Sequence, residues 1–414
     1  MTIRRIPDDF VVREVLTEAY RSRIRLAPAH AAIALYELEK RSLTTPDACF
    51  CLAKAVGVKS GMVESAGLKD RHARTWQHVT VRFSDASRAA VAPGRVDGSL
   101  GGGVSAWSAV RAGWVDGPIA ATAIDRNRFE IVVRDLSRDS SAEMDRRAGA
   151  LIRQEGVDAG ALLVVNYFGD QRFGSARHGE GWAAKHLIRG EFEQAVRLLI
   201  GTPARKDSGR KRTFTRVLAA RWGEWSSLAT DLPPCPERRA IEVLARGGAF
   251  REAFDALPNF TKTMAIEAYQ SFLWNATARR LVTMLGANEN GSLLHAADDF
   301  GEMLFPQARQ VDRAWREVDV PMLEPEAVLH APAADAARTV MAEEGIGLED
   351  LRVPGLRRPA FGAAARSLFM SAAAFELGGA EPDDLGGGKR LKRRVNFDLP
   401  RGAYATVVLR ALGQ

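Results

Sequence analysis

Cysteine is scarce in this 414-residue chain: Cys49, Cys51 and Cys235, an odd number at no metal-ligand spacing. A disulfide scaffold and a Cys-based structural zinc site are thereby excluded, and a reducing cytoplasm fits best. No run of apolar residues approaches the roughly 20 that a membrane helix needs. The opening Met1-Thr-Ile-Arg-Arg-Ile-Pro7 lacks an apolar signal core, so no export signal is expected. Neither sign of charge dominates. The 58 Lys and Arg stand against 51 Asp and Glu, a formal net charge of +7, which permits a polyanionic partner without demanding one. The histidines are scattered, with no His-Glu-x-x-His and no paired carboxylate cluster, so metal hydrolysis is not expected. Seryl or cysteinyl catalysis has no nucleophile elbow behind it. There is no internal repeat.

What is present is enough apolar material, 46% of residues, to bury a core, and a length that suggests two domains or three. Phe10-Val-Val-Arg-Glu-Val15 alternates as a strand. Residues 28–42 carry a helical pattern, with Ile33, Leu35, Tyr36 and Leu38 among charges. A second helix is expected to begin at Thr45-Pro46, a cap followed by a first-turn proline, and to run to about Val56. His78-Val-Thr-Val-Arg-Phe83 and Phe129-Glu-Ile-Val-Val-Arg134 read as strands, and Ser140 with Glu143 as a capping box. The first 155 residues are therefore α+β or α/β. From about 180 to 350 the texture is mostly helical, with candidates at 191–200, 236–248, 263–285 and 325–344. Strand character returns at Val395–Leu399 and Tyr404–Leu409. A helical block between strand-rich ends reads as an insertion, with the C-terminal strands completing the first sheet.

Two strings carry potential chemistry. In Gly67-Leu-Lys-Asp70-Arg-His-Ala73-x-Thr75-x-Gln77 a carboxylate sits between two cations, directly before a strand. Such a carboxylate can act as a nucleophile or stabilise a cationic sugar-like transition state; equally, Asp70 can cap a turn while the cations face water. In Asn166-Tyr-Phe-Gly-Asp-Gln-Arg-Phe-Gly174 the aromatics alternate with Gly, Gln and Arg. These rings could stack on bases or pack as an interdomain corner. Gly101–Gly103 and Gly386–Gly388 are loops without a nucleotide-cradle context. The basic clusters Arg205-Lys206…Arg210-Lys-Arg212 and Lys389–Arg394 are solvated turns or phosphate contacts.

Gly67–Ala73 together with Asn166–Gly174 resembles the TruD family of pseudouridine synthases. The resemblance runs the length of the chain: Asp9-Phe10-Val-Val-x-Glu14, Lys40-Arg-Ser-Leu-Thr-Thr45, Tyr269-Gln-Ser-Phe-Leu-Trp-Asn275 and Leu399-Pro-Arg-Gly-Ala-Tyr404-Ala-Thr-Val-Val-Leu-Arg410. It implies an α+β fold: a pseudouridine-synthase core, a mixed and mainly antiparallel sheet with helices, interrupted by a mostly helical TRUD insertion domain. By that likeness the core takes 1–161 and 371–414 and the insertion 162–370. It implies isomerisation of a uridine in tRNA, position 13 in many members, by a catalytic aspartate matching Asp70. No cofactor and no metal are then required. Phe10, Asn127, Phe129 and Tyr404 match the substrate pocket, Tyr404 standing where many members have Phe. Arg126 replaces a usual glycine, a poor fit if that position needs positive φ. Because the target uridine lies in folded RNA, it must be extruded before reacting. Lys40, Lys69, Arg71 and Arg172 are then candidates for RNA-backbone contact. A monomer in the cytoplasm, with tRNA as partner, no membrane and no protein partner, is the expectation.

Two other readings remain at this point. One is a non-catalytic RNA-binding protein on the same scaffold, for which Asp70 would be dispensable. The other is a carboxylate-based glycosidase or nucleosidase, which ordinarily needs a second acid/base carboxylate that no motif here offers.

Overall fold

The computed structural model describes residues 1–28, 33–101, 103–156, 158–176, 178–204, 207, 209–288 and 293–414. The strands in chain order are β1 Phe10–Leu16, β2 Ile33–Arg41, β3 Val63–Ser65, β4 Arg74–Arg82, β5 Arg95–Leu100, β6 Ser105–Trp114, β7 Ile124–Leu136 and β8 Leu162–Val165. There follow β9 Leu294–Ala296, β10 Met303–Phe305, β11 Asp319–Pro321 and β12 Ala365–Ser367, then β13 Phe369–Leu377, β14 Glu381–Pro382 and β15 Leu391–Pro400. The chain divides into two compact units, Met1–Val164 with Met370–Gln414, and Val165–Phe369.

The first unit is organised on one sheet in the order β5-β6-β2-β4-β1-β7-β15-β13-β8, with β3 added beside β4 and β14 beside β15. Apart from the parallel pair β1–β4, the registers of β1, β2, β4, β6, β7 and β15 are antiparallel. Both ends of the chain meet here, because β7 lies between β1 and β15. Along β1 the residues Phe10, Val12, Glu14 and Leu16 are buried while Val11, Arg13 and Val15 are half-exposed, the period of two expected of a strand with one wet face.

Residues 33–41 form a strand rather than the expected helix. Ala34, Tyr36, Leu38 and Lys40 are all fully buried on one face, and Glu37 and Arg41 are exposed on the other. The alternation was disguised because one inward position is a lysine. The segment 404–409, read as a strand from its β-branched run, is instead the helix Ala405–Ala411, which buries Val407, Val408 and Leu409; packing overrides a weak local preference. The helix Thr45–Ala55 is capped one residue earlier than expected, by Thr44 Oγ1 accepting from Asp47 N at 3.2 Å. Ser137, not Ser140, caps the helix Arg138–Leu151, and Glu143 pairs with Arg146 and Arg147 instead.

The second unit is mostly helical around a 30-residue helix, Asn259–Asn288. The expected 191–200 helix is Phe192–Val196 running on into a π-helical turn, Arg197–Gly201; that at 236–248 is Arg238–Ala245. Of 325–344 only Ala333–Glu344 is helical, since Pro332 cannot continue a helix backwards through its missing N–H. The long helix holds loops by side-chain bonds. Gln270 Nε2 donates to the carbonyls of Leu323 and Gly362, both at 2.9 Å, and Trp274 Nε1 to that of Val320 at 3.0 Å. Asn275 brackets Phe168, accepting from its N at 2.8 Å and donating to its O at 3.0 Å.

Asn275→Ala would remove both of its bonds to the Phe168 main chain, each worth about 0.5–1.5 kcal/mol. We expect a lower urea midpoint followed by tryptophan fluorescence; an unchanged midpoint would show that the bracket is dispensable.

Candidate active site

Asp70 sits in the loop 66–73 between β3 and β4. A loop has no ladder of its own, so side chains from four elements must fix it. Lys69 N donates to Thr45 Oγ1 at 3.0 Å, and the Thr45 hydroxyl donates to Gln77 Oε1 at 2.9 Å. The start of one helix is thus tied to the loop and to β4 at once. The Lys69 ammonium turns inward, 2.8 Å from Glu14 Oε1 on β1 and 2.8 Å from Asn127 Oδ1 on β7. Glu14 and Asn127 are register partners. The second Glu14 oxygen accepts from His78 N at 2.8 Å. Burial raises the Glu14 pKa, but the His78 and Lys69 interactions outweigh it and hold the carboxyl below its ordinary value.

Lys40 is fully buried, and its Nζ donates to the main-chain oxygen of Asp70 at 2.6 Å. Burial pushes its pKa down to about 8, with the Asp70 charge raising it and Lys69 lowering it further. The Asp70 carboxylate itself meets Arg4: Nη2 lies 2.7 Å from Oδ2, with the two side chains about a quarter exposed. The same guanidinium lies over the Phe10 ring, 4.0 Å from its centroid. Arg4 has φ of 62°, a left-handed conformation that costs a non-glycine residue roughly 1–2 kcal/mol. The surrounding segment is pinned on both sides. Thr2 exchanges main-chain hydrogen bonds with Arg134 at 2.9 and 2.8 Å, and the buried carboxylate of Asp9 accepts from Ile6 N and from Arg134.

Beside the carboxylate stands an apolar wall. Phe10 meets Phe129 edge to face at 6.1 Å, and Phe129 lies 5.4 Å from Phe397 on β15. Asn127 and Phe129 share one face of β7, two residues apart. Tyr404 is half-buried, at the residue preceding the closing helix.

Asn127, Phe10 and Phe129 are therefore brought together on one sheet, beside the loop that carries Asp70. The cations flanking Asp70 in space are Arg4 and Lys40, whereas Lys69, its sequence neighbour, points to Glu14. Lys40 is fully buried, and Lys69, though partly exposed, has its ammonium on Glu14 and Asn127, so both are turned to the loop's support rather than to the RNA-backbone contact expected of them. Arg71 is exposed. Arg172 belongs to the other unit, where Glu267 holds it at 2.8 Å and Ser271 at 3.1 Å. The aromatics of Asn166–Gly174 are core rather than stacking surface: Tyr167 is 1%, Phe168 7% and Phe173 0% exposed. Arg205 and Lys206 lie outside the described residues, and Lys211 pairs with Asp207. In the second basic cluster Arg390 binds Asp135, Lys392 binds Asp384, and Arg393 is buried against Ser141 and Asp145. Arg126 adopts ordinary strand geometry in β7 and pairs with Asp398 at 2.8 Å, so no glycine is needed there. Sequence reasoning missed Arg4, which is 66 residues from Asp70 with no spacing pattern to betray it. It also missed the tying roles of Glu14, Thr45 and Gln77, although each stands in a string already singled out.

The family model described as tRNA pseudouridine synthase D (TruD) matches residues 1–412. The chain belongs to the TruD family. A tRNA pseudouridine synthase D from Aquifex aeolicus is 26% identical over 420 residues, covering 99% of this chain and 97% of that protein. A Methanococcus maripaludis protein assigned as tRNA pseudouridine synthase D 1 is 24% identical over 417 residues, covering 99% of this chain and 98% of its own. The crystal structure of a Methanosarcina mazei protein assigned to TruD shares the fold, with a TM-score of 0.63, 20% identity, and coverage of 99% of this chain and 92% of that one. The α+β core interrupted by a helical insertion is thus the TruD architecture.

The buried Lys40 gives a pH test. Its folded pKa of about 8 lies below the ordinary lysine value near 10.4. Between the two the unfolded chain holds a proton that the folded one has released, so this group's contribution to stability rises with pH. The unfolding free energy of wild type minus that of Lys40→Met should grow from pH 7 to pH 10; a flat or falling difference would contradict the assignment.

Proposed function

We propose that this TruD-family pseudouridine synthase isomerises a uridine of tRNA, at position 13, with Asp70 as its catalytic carboxylate. The observation that carries this reading is the setting of Asp70. It is the carboxylate whose side chain is gripped by Arg4 and whose main chain is gripped by Lys40, beside the Phe10–Phe129–Phe397 wall, and it keeps access to solvent. Isomerisation must break N1–C1′, turn the base and join C5 to C1′, with no net redox or phosphoryl step. A carboxylate contributes as a nucleophile toward C1′ or as base for the 2′-proton, and both roles use the ion that Arg4 holds by a charge-assisted bond.

The uridine must leave its stack to reach this loop. The Tyr404 ring would stack on the extruded uracil, with Phe10 and Phe129 behind it. Asn127 acts through Lys69, holding the loop rather than the base. Exposed Arg71, next to Asp70, is placed to meet a phosphate. The free thiols of Cys49, Cys51 and Cys235 fit a reducing compartment, so the cytoplasm is the proposed location.

Pseudouridine mapping on unmodified tRNA tests the assignment. Wild type should give one site that is lost in Asp70→Asn while tRNA binding stays within a few-fold. A site persisting in Asp70→Asn would show that the carboxylate is the wrong one, and no site in wild type would remove the tRNA reading. Tyr404→Phe should keep single-turnover rates within about threefold and Tyr404→Ala should lower them at least a hundredfold, on the order of 2.7 kcal/mol in the barrier. Near-normal turnover by Tyr404→Ala would remove the stacking role.

A further inference from the structure

On the first unit, far along β4 from Asp70, a cavity of 690 Å³ opens between the end of the helix Thr45–Ala55, the end of β4 and the short helix Ala86–Ala90. That volume falls within the roughly 300–1,000 Å³ of small-ligand sites. Lys59, Arg82 and Arg88 stand around it, all exposed, and no carboxylate lines it. Its apolar surface includes Met62, 40% exposed, and Val91, 81% exposed. Both oxygens of neighbouring Asp85 are already engaged, one by Arg88 N at 2.9 Å and one by the Ser84 hydroxyl at 2.8 Å. The terminal carbonyls of the adjoining helix are likewise occupied, Leu52 O by Val56 N and Ala53 O by Val58 N, so its negative end is blunted.

The wall opposite is braced from beneath. Tyr36 donates its hydroxyl to the Pro93 carbonyl at 2.8 Å, and the Arg111 guanidinium donates to the Ala92 carbonyl. The arginines of the sheet's wet face offer a contrast. There Arg74 is matched by Glu39, Arg41 by Asp8, and Arg126 and Arg128 by Asp398, which leaves little field for a polyanion. Around the cavity the charge of Asp85 bears on Arg88 alone, and among the described residues no ion pair ties down Lys59, Arg82 or Arg88 beside the exposed aliphatic surface. That is the chemistry of a base laid on an apolar floor with its phosphates at a cationic rim.

We propose that this groove holds a nucleotide of the RNA substrate remote from the target uridine. Resting on the tRNA reading above, it makes the groove a second anchor. Arg82 lies eight residues beyond Arg74 on β4, about 26 Å at roughly 3.3 Å per residue, so the RNA must extend that far from the reacting base.

The test is the affinity of the full chain for unmodified tRNA and for a short stem-loop carrying the target uridine, across 50–400 mM KCl. The proteins are wild type, Arg88→Glu, and Lys59→Ala/Arg82→Ala/Arg88→Ala, each checked for an unchanged melting midpoint. The triple variant should weaken tRNA binding at least tenfold at low salt and reduce the salt slope by about two to three. The stem-loop affinity and kcat should stay within twofold. Arg88→Glu should act in the same direction even if the triple variant does not fold. Unchanged tRNA affinity and salt slope would overturn the proposal, as would equal weakening on the stem-loop. Saturable binding of free AMP lost in Arg88→Glu, with tRNA affinity unchanged, would assign the groove to a mononucleotide instead. Repeating the titration in the Asp70→Asn background separates the two readings: loss of catalysis leaves the groove's binding readout intact.

Discussion

A buried ammonium with a main-chain carbonyl as its hydrogen-bond acceptor is a costly thing to place in a protein, and the site depends on one. Lys40 reaches Asp70 O from inside the sheet, and the charge that makes its burial tolerable is the carboxylate of the residue it holds. The two are coupled: Lys40 helps hold the loop through the Asp70 carbonyl, and the Asp70 carboxylate offsets part of the cost of burying the ammonium. Lys69 is held on different terms, half-buried with a carboxylate partner in Glu14 and an amide oxygen in Asn127. Two consecutive loop residues are therefore clamped, Asp70 through its main chain and Lys69 through its side chain, while the Asp70 carboxylate meets Arg4.

The sheet makes this economical. Glu14, Asn127 and Leu399 lie in one cross-strand row, and Val12, Phe129 and Phe397 in the next. Polar support and apolar wall thus occupy adjacent rows of the same face, the spacing set by the pleat. The opposite face carries arginines paired with carboxylates, half-exposed at Arg74 and Glu39 and with Asp398 buried beneath Arg126 and Arg128. One surface of the sheet carries the ties and aromatic wall beside Asp70, and the other combines these ion pairs with a smaller apolar cluster around Ile33 and Leu35.

How much of this could be read beforehand follows from where the information lies. The family, the α+β core and the helical insertion were legible, because several motifs in order carry them, and the comparisons agree. Phe10, Phe129 and Asn127 stand in strings matched to the family, and the structure places Asn127 on Lys69 and the two rings edge to face. Arg4 was not legible, because its partnership with Asp70 is made by β-sheet topology across the chain and leaves no local trace. Lys40 was read as a surface cation, since composition cannot distinguish a solvated lysine from one facing inward at an alternate strand position. For the aromatics near Asn166, where stacking on bases and packing both stood open, packing holds: they are consumed by Trp182, Trp274, Phe300 and Phe305. In each case the deciding fact was the direction of a side chain, which becomes visible only once the strands are paired.

The meeting of both chain ends in one sheet also has a meaning in time. Phe397 packs on Phe129, and Asp398 binds Arg126 and Arg128 across some 270 residues of sequence. A polypeptide emerging vectorially from the ribosome carries the loop with Asp70 out early and its third aromatic wall near the end of synthesis. The helical unit in between has a core of its own and can fold while β7 still waits for β15. The aromatic wall beside Asp70 is then completed last, since a nascent chain lacks Phe397 until synthesis is nearly done.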